Sequence, residues 1–230
     1  MIAAPIPIAV EVGTTRAFGW ATDWPGWCRG TKDRLLVPAA LLAAAPRYAI
    51  VAAEAGLPFL AEPAALTVDA FALIETVEGS AGTDFGVPYS IAELDRRPVT
   101  ATEAERLARL VEAAWRVLDR VVAGAPAELR KGPRGGGRDR DKMVAHLVSS
   151  DSAYAGQMGI RLPEPSPTDR PAVEAERAAM LEILRRPSDG SPLAGRKWPA
   201  RYAARRIAWH ALDHAWEIED KSGSAAGSPG

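Results

Sequence analysis

The chain has 230 residues, 47% hydrophobic and 25% charged, a balance that excludes a disordered tail and suits one large or two small globular domains. Its 28 basic and 29 acidic side chains leave a formal charge of -1, which argues against a dedicated nucleic-acid binder, because phosphate recognition requires a basic excess or stripe. The single cysteine, Cys28, rules out an internal disulfide and gives no sign of an oxidising compartment.

The opening Met1-Ile2-Ala3-Ala4-Pro5-Ile6-Pro7 has no leading positive charge and two prolines, so it reads poorly as a signal peptide. Residues 6–12 and 16–22 are short β-prone runs flanking Gly13-Thr14-Thr15, which predicts a hairpin. In residues 23–30 a Pro-Gly pair and a second glycine are expected to end any strand. The pattern turns helical over 31–55, where Pro38 and Pro46 should kink or divide the helix. The uncharged run 35–46 inside it is shorter than the about 20 apolar residues that span a bilayer, so a cytoplasmic protein without membrane contact is expected. Residues 66–77 predict another strand with the turn after it, and 78–98 read as loop or linker. The first 98 residues therefore read as a small α+β unit.

Residues 99–222 read as helical. Thr102 is the expected N-cap, with Glu105 three residues on as in a capping box. Leu107, Leu110, Val111, Ala114, Val117, Leu118 and Val121 follow at helical spacing. The stretch 132–137 is a basic glycine-rich loop without the Lys-Ser/Thr continuation of a phosphate-binding loop. Asp139 or Asp141 starts a second helix running to about Gly159, and a third spans about 172–184. Pro199, tolerated at a helix start, opens a last helix that ends near Lys221. Four such helices predict a bundle, and 223–230 predict a polar, disordered tail.

The chain holds three histidines, His146, His210 and His214. The last two stand four apart and so are neighbours on one helix face, while His146 lies in the middle of the second helix. If these helices pack together, three neutral imidazoles converge. Such a set suits zinc, nickel, copper or ferrous iron and leaves positions open for water or substrate; the competing reading is three ordinary bundle residues. Arg206, one turn before His210, is a candidate clamp for an anionic or thiol-bearing substrate, or else an interhelix ion-pair partner. Asp213 and Glu217 are candidates for orienting an imidazole or acting as a general base, or else surface pairs. Met143, Ser149, Ser150 and Tyr154 share the face of His146. Cys28, with no histidine in its half, reads as a packed residue.

Met143-Val144-Ala145-His146-Leu147 with residues 149–154, and Arg205-Arg206-Ile207-Ala208-Trp209-His210-Ala211-Leu212-Asp213-His214-Ala215-Trp216-Glu217, resemble the second-helix and last-helix segments of the DinB/YfiT-like superfamily of four-helix-bundle metalloproteins. The likeness covers residues 100–221. It implies that His146, His210 and His214 hold a divalent metal, zinc first, with nickel, iron or manganese as alternatives. It further implies a metal-dependent transferase or isomerase in which a low-molecular-weight thiol such as mycothiol, bacillithiol or glutathione attacks a small electrophile, with Arg206, Asp213 and Glu217 as candidate catalytic groups. The separation of His146 and His210 is shorter than the family pattern, which should abbreviate the third helix. Phe18-Gly19-Trp20-Ala21-Thr22-Asp23-Trp24-Pro25-Gly26-Trp27-Cys28 resembles the HicB-like fold, where strand residues lead into an Asp-x-Pro-Gly turn and a helix. That implies a HicB-like βαβ-type unit, residues 1–98, ahead of the bundle, 99–222. The alternative is a non-catalytic metal- or ligand-binding or sensing protein with a HicB-like interaction module. A small-molecule substrate is the expected partner, nucleic acid is not expected, and exposed tryptophans would favour a homodimer.

Overall fold

The predicted hairpin forms: β1 (Ile6–Val12) and β2 (Ala17–Ala21) pair antiparallel, and the Gly13 N–H donates to the Arg16 carbonyl at 2.8 Å to close the turn. Period-2 alternation sorts the side chains. Ile6, Ile8 and Val10 enter the main core, while Ala9, Phe18 and Trp20 enter a smaller cluster on the other face. Residues 23–30 do not end the sheet. Asp23-Trp24-Pro25-Gly26 makes a tight turn, and β3 (Cys28–Thr31) returns antiparallel to β2. Gly30 is compatible with this strand because the Phe18 ring lies over it; a Cβ there would stand 2.7 Å from Phe18 Cε1. The turn thus leads into a strand and not directly into the helix that the HicB-like pattern implied.

The computed structural model describes residues 5–60, 66–131 and 137–222; the expectations for the extreme N-terminus, for 132–136 and for the 223–230 tail lie outside the described residues. Helix α1 (Val37–Glu54) is one element. Pro38 sits in its first turn, where no N–H is needed. Pro46 stays inside the helix on an exposed position, so the Leu42 carbonyl that it leaves without a donor has water within reach. The helical stretch Arg34–Glu54 is long and apolar enough to cross a membrane by length and composition, longer than the uncharged run alone. Here one face of it is core: Val37, Leu41, Tyr48 and Val51 are buried, the Trp27 indole donates to the Leu41 carbonyl at 2.9 Å, and the Tyr48 hydroxyl donates to the Pro25 carbonyl at 2.7 Å.

Strand β4 (Phe71–Glu78) adds parallel to β1, giving the order β3-β2-β1-β4, with Ile74 as an extra residue where the register slips. The segment expected to be a plain linker holds α2 (Ala81–Phe85) and a 3-10 turn, Glu93–Arg96. A buried carboxylate organises it. Glu11 accepts hydrogen bonds from the Thr83 hydroxyl and from the backbone N–H groups of Tyr89 (3.1 Å) and Ser90 (2.9 Å), so the charge is solvated by protein.

Four long helices follow: α3 (Ala101–Gly124), α4 (Arg140–Gln157), α5 (Arg170–Leu184) and α6 (Ala200–Ser222). The α3 cap is Thr100 with Glu103, two residues earlier than expected; the Thr-x-x-Glu pattern occurs twice in succession and the first copy caps. Helix α5 is the shortest of the four. Helix α6 packs against α3 and α4 and is buried on nearly every face. Its alanines allow close approach: Gly26, at φ 92°, would place a Cβ 3.1 Å from Ala208 Cβ and 2.7 Å from Leu212 Cδ1.

Ile8, Trp27, Leu41, Leu110, Ile207 and Leu212 belong to one apolar cluster, so the boundary at residue 98 marks a change of element type and not a gap in the core. On the far face of the sheet, Trp209 meets Phe18 edge-on at 6.0 Å. Beside it the Arg205 guanidinium clamps Asp95 at 2.8 and 2.7 Å and lies 4.1 Å from the Trp20 ring centre. The protein is α+β. Trp24 is half-buried and the other six tryptophans are buried, so the exposed tryptophans that would favour a homodimer are not there.

Candidate metal centre

Asp139 stands at the start of α4, its carboxylate taken by the Leu129 N–H and Lys131, and His146 falls in the middle of that helix; Pro199 precedes α6, whose His210 and His214 meet α4. The Nε2 atoms of His146 and His210 stand 3.2 Å apart, and the His214 ring centre lies 5.1 Å from that of His146 and 4.7 Å from that of His210. One ring nitrogen from each falls within 4.8 Å of the others. Two nitrogens bound at 2.0–2.1 Å to one tetrahedral ion stand roughly 3.3 Å apart, so the His146–His210 spacing fits a shared cation. It also fits an N–H···N hydrogen bond between two neutral rings.

Electrostatics favour neutral rings at His146 and His210. Burial, with the neighbouring His214 and Arg138, holds His146 below the ordinary imidazole range. Burial, with His214, Arg206 and His146, pushes His210 well below it. A neutral imidazole is the form that ligates. The Nδ1 of His210 is buried without a partner, an incomplete outer shell. His214 is better supported: its Nδ1 meets Glu217 Oε2 at 3.0 Å. Since a carboxylate only accepts, Nδ1 is the donor in this contact, which leaves Nε2 as the ring nitrogen free of Glu217. That hydrogen bond, reinforced by Lys221, lowers the Glu217 carboxyl to about 2.

The remaining candidates separate. Arg206 is 7% exposed, its Nη1 has no partner, and its guanidinium lies between the rings of Trp209 (4.6 Å) and Tyr154 (5.2 Å). No ion pair to it is formed among the described residues. Tyr154 in turn is 5.6 Å from His210, ring centre to ring centre. Asp213 is drawn away to the sheet, 3.6 Å from Arg29 of β3, with burial raising its carboxyl. Ser149 is exposed and Ser150 half-buried, and Met143 is buried. Cys28 is buried and its thiol is pushed far up by desolvation, which keeps it an inert packed residue. The aromatic clasp on Arg206 is the feature that residue spacing did not flag; Trp209, three residues on, was its only local signal.

A scan against models of known protein families, a search of curated proteins and a search of solved structures each return no match to this chain.

Proposed function

We propose that His146, His210 and His214 hold a divalent cation, zinc first, and that the chain is a DinB-like metal-dependent enzyme joining a low-molecular-weight thiol to a small electrophile. The observation that carries this reading is the convergence of the chain's three histidines, from two helices, on one spot. When bound, a divalent ion supplies the positive charge that keeps a thiol ionised at neutral pH.

The chain's own residues do the rest. Glu217 fixes the proton on Nδ1 of His214 and so aims Nε2 inward. Arg206, buried and unpaired, offers Nη1 to an anionic group of the thiol or electrophile. Tyr154 and Trp209 flank it and exclude water, which strengthens its pull on an anion.

A second reading, a non-catalytic metal-binding or sensing protein, draws on the 6% exposure of His210, which suits a structural ion. The N-terminal unit then serves as a HicB-like interaction module.

Elemental analysis of tag-free protein beside a His210→Ala/His214→Ala variant tests the metal; about one equivalent, lost in the variant, is expected. Mycothiol, bacillithiol and glutathione are then assayed with small electrophiles. Metal bound with no thiol-dependent turnover, and a large loss of melting temperature on chelation, would favour the structural reading.

A further inference from the structure

A second site lies away from the histidines, where the sheet half meets the helices. The β2–β3 turn, the 3-10 turn at 93–96, the start of α3 and the start of α6 border two adjoining, solvent-open clefts of about 350 and 130 Å³ that share Asp23, Glu103, Leu107 and Arg201. Arg201 and Arg205 precede His210 by nine and five residues on α6, so by helical rise they sit about 13 and 7 Å along the axis from it. A water occupies roughly 30 Å³, so the larger space admits a small organic molecule.

Charge on the walls does not cancel. Arg97, Arg106, Arg201 and Arg205 face Asp23, Asp95 and Glu103. Asp95 is taken by Arg205 through two short contacts, and Glu103 by Arg201 at 2.7 Å and by the Thr100 N–H at 2.9 Å. That leaves Arg97 and Arg106 against Asp23 alone. Neither arginine forms an ion pair among the described residues, and the Nε of Arg201 is buried without a partner. Arg106 donates to the Asp23 carbonyl and lies 4.4 Å from the Trp24 ring centre. A guanidinium on an aromatic face, with a second aromatic at Trp20 and apolar walls at Leu94 and Leu107, presents both halves of a recognition surface. The cations take an anion, and the rings and leucines take a flat apolar body.

We infer that the larger cleft binds a small aromatic carboxylate, its carboxylate held by Arg106, with the charge of Arg97 in the adjoining cleft adding to the pull, and its ring lodged against Trp24 and Leu107. The site is independent of the metal reading: none of its lining residues is a histidine.

The full chain is titrated calorimetrically with benzoate, 4-hydroxybenzoate and 1-naphthoate, each beside its neutral amide, while tryptophan fluorescence is followed. Saturable binding of the acids and not the amides is expected, weakened about tenfold in Arg106→Met and in Arg97→Met. Arg97 is exposed, so its variant tests the charge even if Arg106→Met fails to fold. The His210→Ala/His214→Ala variant should bind the acids unchanged. No saturation with any of the acids, equal binding of acid and amide, undiminished affinity in Arg97→Met, or loss of binding in the histidine variant would each overturn the assignment.

Discussion

Glu217 and Arg206 flank the histidine pair on α6 and are held in opposite ways. Glu217 has a partner on either side, His214 and Lys221; Arg206 has two aromatic faces and no counter-charge among the described residues. Replacing Glu217 with Gln removes the charged acceptor that fixes the His214 tautomer. Zinc affinity, measured by chelator competition, should fall about 10–100-fold with the far-ultraviolet spectrum unchanged. Replacing Arg206 with Met deletes an unpaired buried cation and keeps apolar volume between the rings. The melting temperature should hold or rise, and metal content should stay, while any anion-dependent turnover falls; a drop of many degrees would instead make Arg206 structural. Asp151 supplies a pH test. It is 4% exposed, with Arg177 of α5 at 3.6 Å and Glu176 nearby, and desolvation raises its carboxyl to about 7. The native state therefore keeps a proton between about pH 4 and 7 that the unfolded chain has released. Stability contributed by that neutral form falls as pH rises through this window and levels off above it, by on the order of 4 kcal/mol. Urea melts of Asp151→Asn at pH 5 and 8 should lack that part of the slope.

At the scale of elements, caps and turns give the sharpest checks. Thr100→Ala should cost about 1 kcal/mol by urea denaturation and Thr102→Ala close to nothing, because Thr100 receives the Glu103 N–H at its hydroxyl and gives its own N–H to that carboxylate. The hairpin and the four long helices were legible because they rest on local signals: alternation, caps and 3.6-residue spacing. Strand β3 and helix α2 were not: α2 has only a short Ser80–Thr83 capping box and Gly86 to mark it, and distant residues hold both elements in place. Phe18 covers Gly30, and Glu11 gathers the donors of residues 83–90. The candidate site divides in the same way. Three histidines in a chain of this length are visible without coordinates, but spacing of three or four on α6 cannot say which neighbour faces α4 and which faces the sheet. Glu217 and Asp213 were therefore indistinguishable until Arg29 was seen to hold the latter.

For the molecule as a whole, one apolar cluster runs from β1 through α1 and α3 to α6, and the Arg205–Asp95 pair, 8% and 5% exposed at the side chain, joins the same two halves. Calorimetry should therefore show a single unfolding transition, and residues 99–222 made alone should lose sharp side-chain signals and bind hydrophobic dyes. Two well-separated transitions would mean that the halves fold independently. Helix α6, the most enclosed of the long helices, follows every other described element in the chain. A ribosome making this protein releases every other described element before the keystone arrives. Strands and early helices then wait with their oily faces bare, and a message broken ahead of Ala200 yields a product fit only for proteolysis.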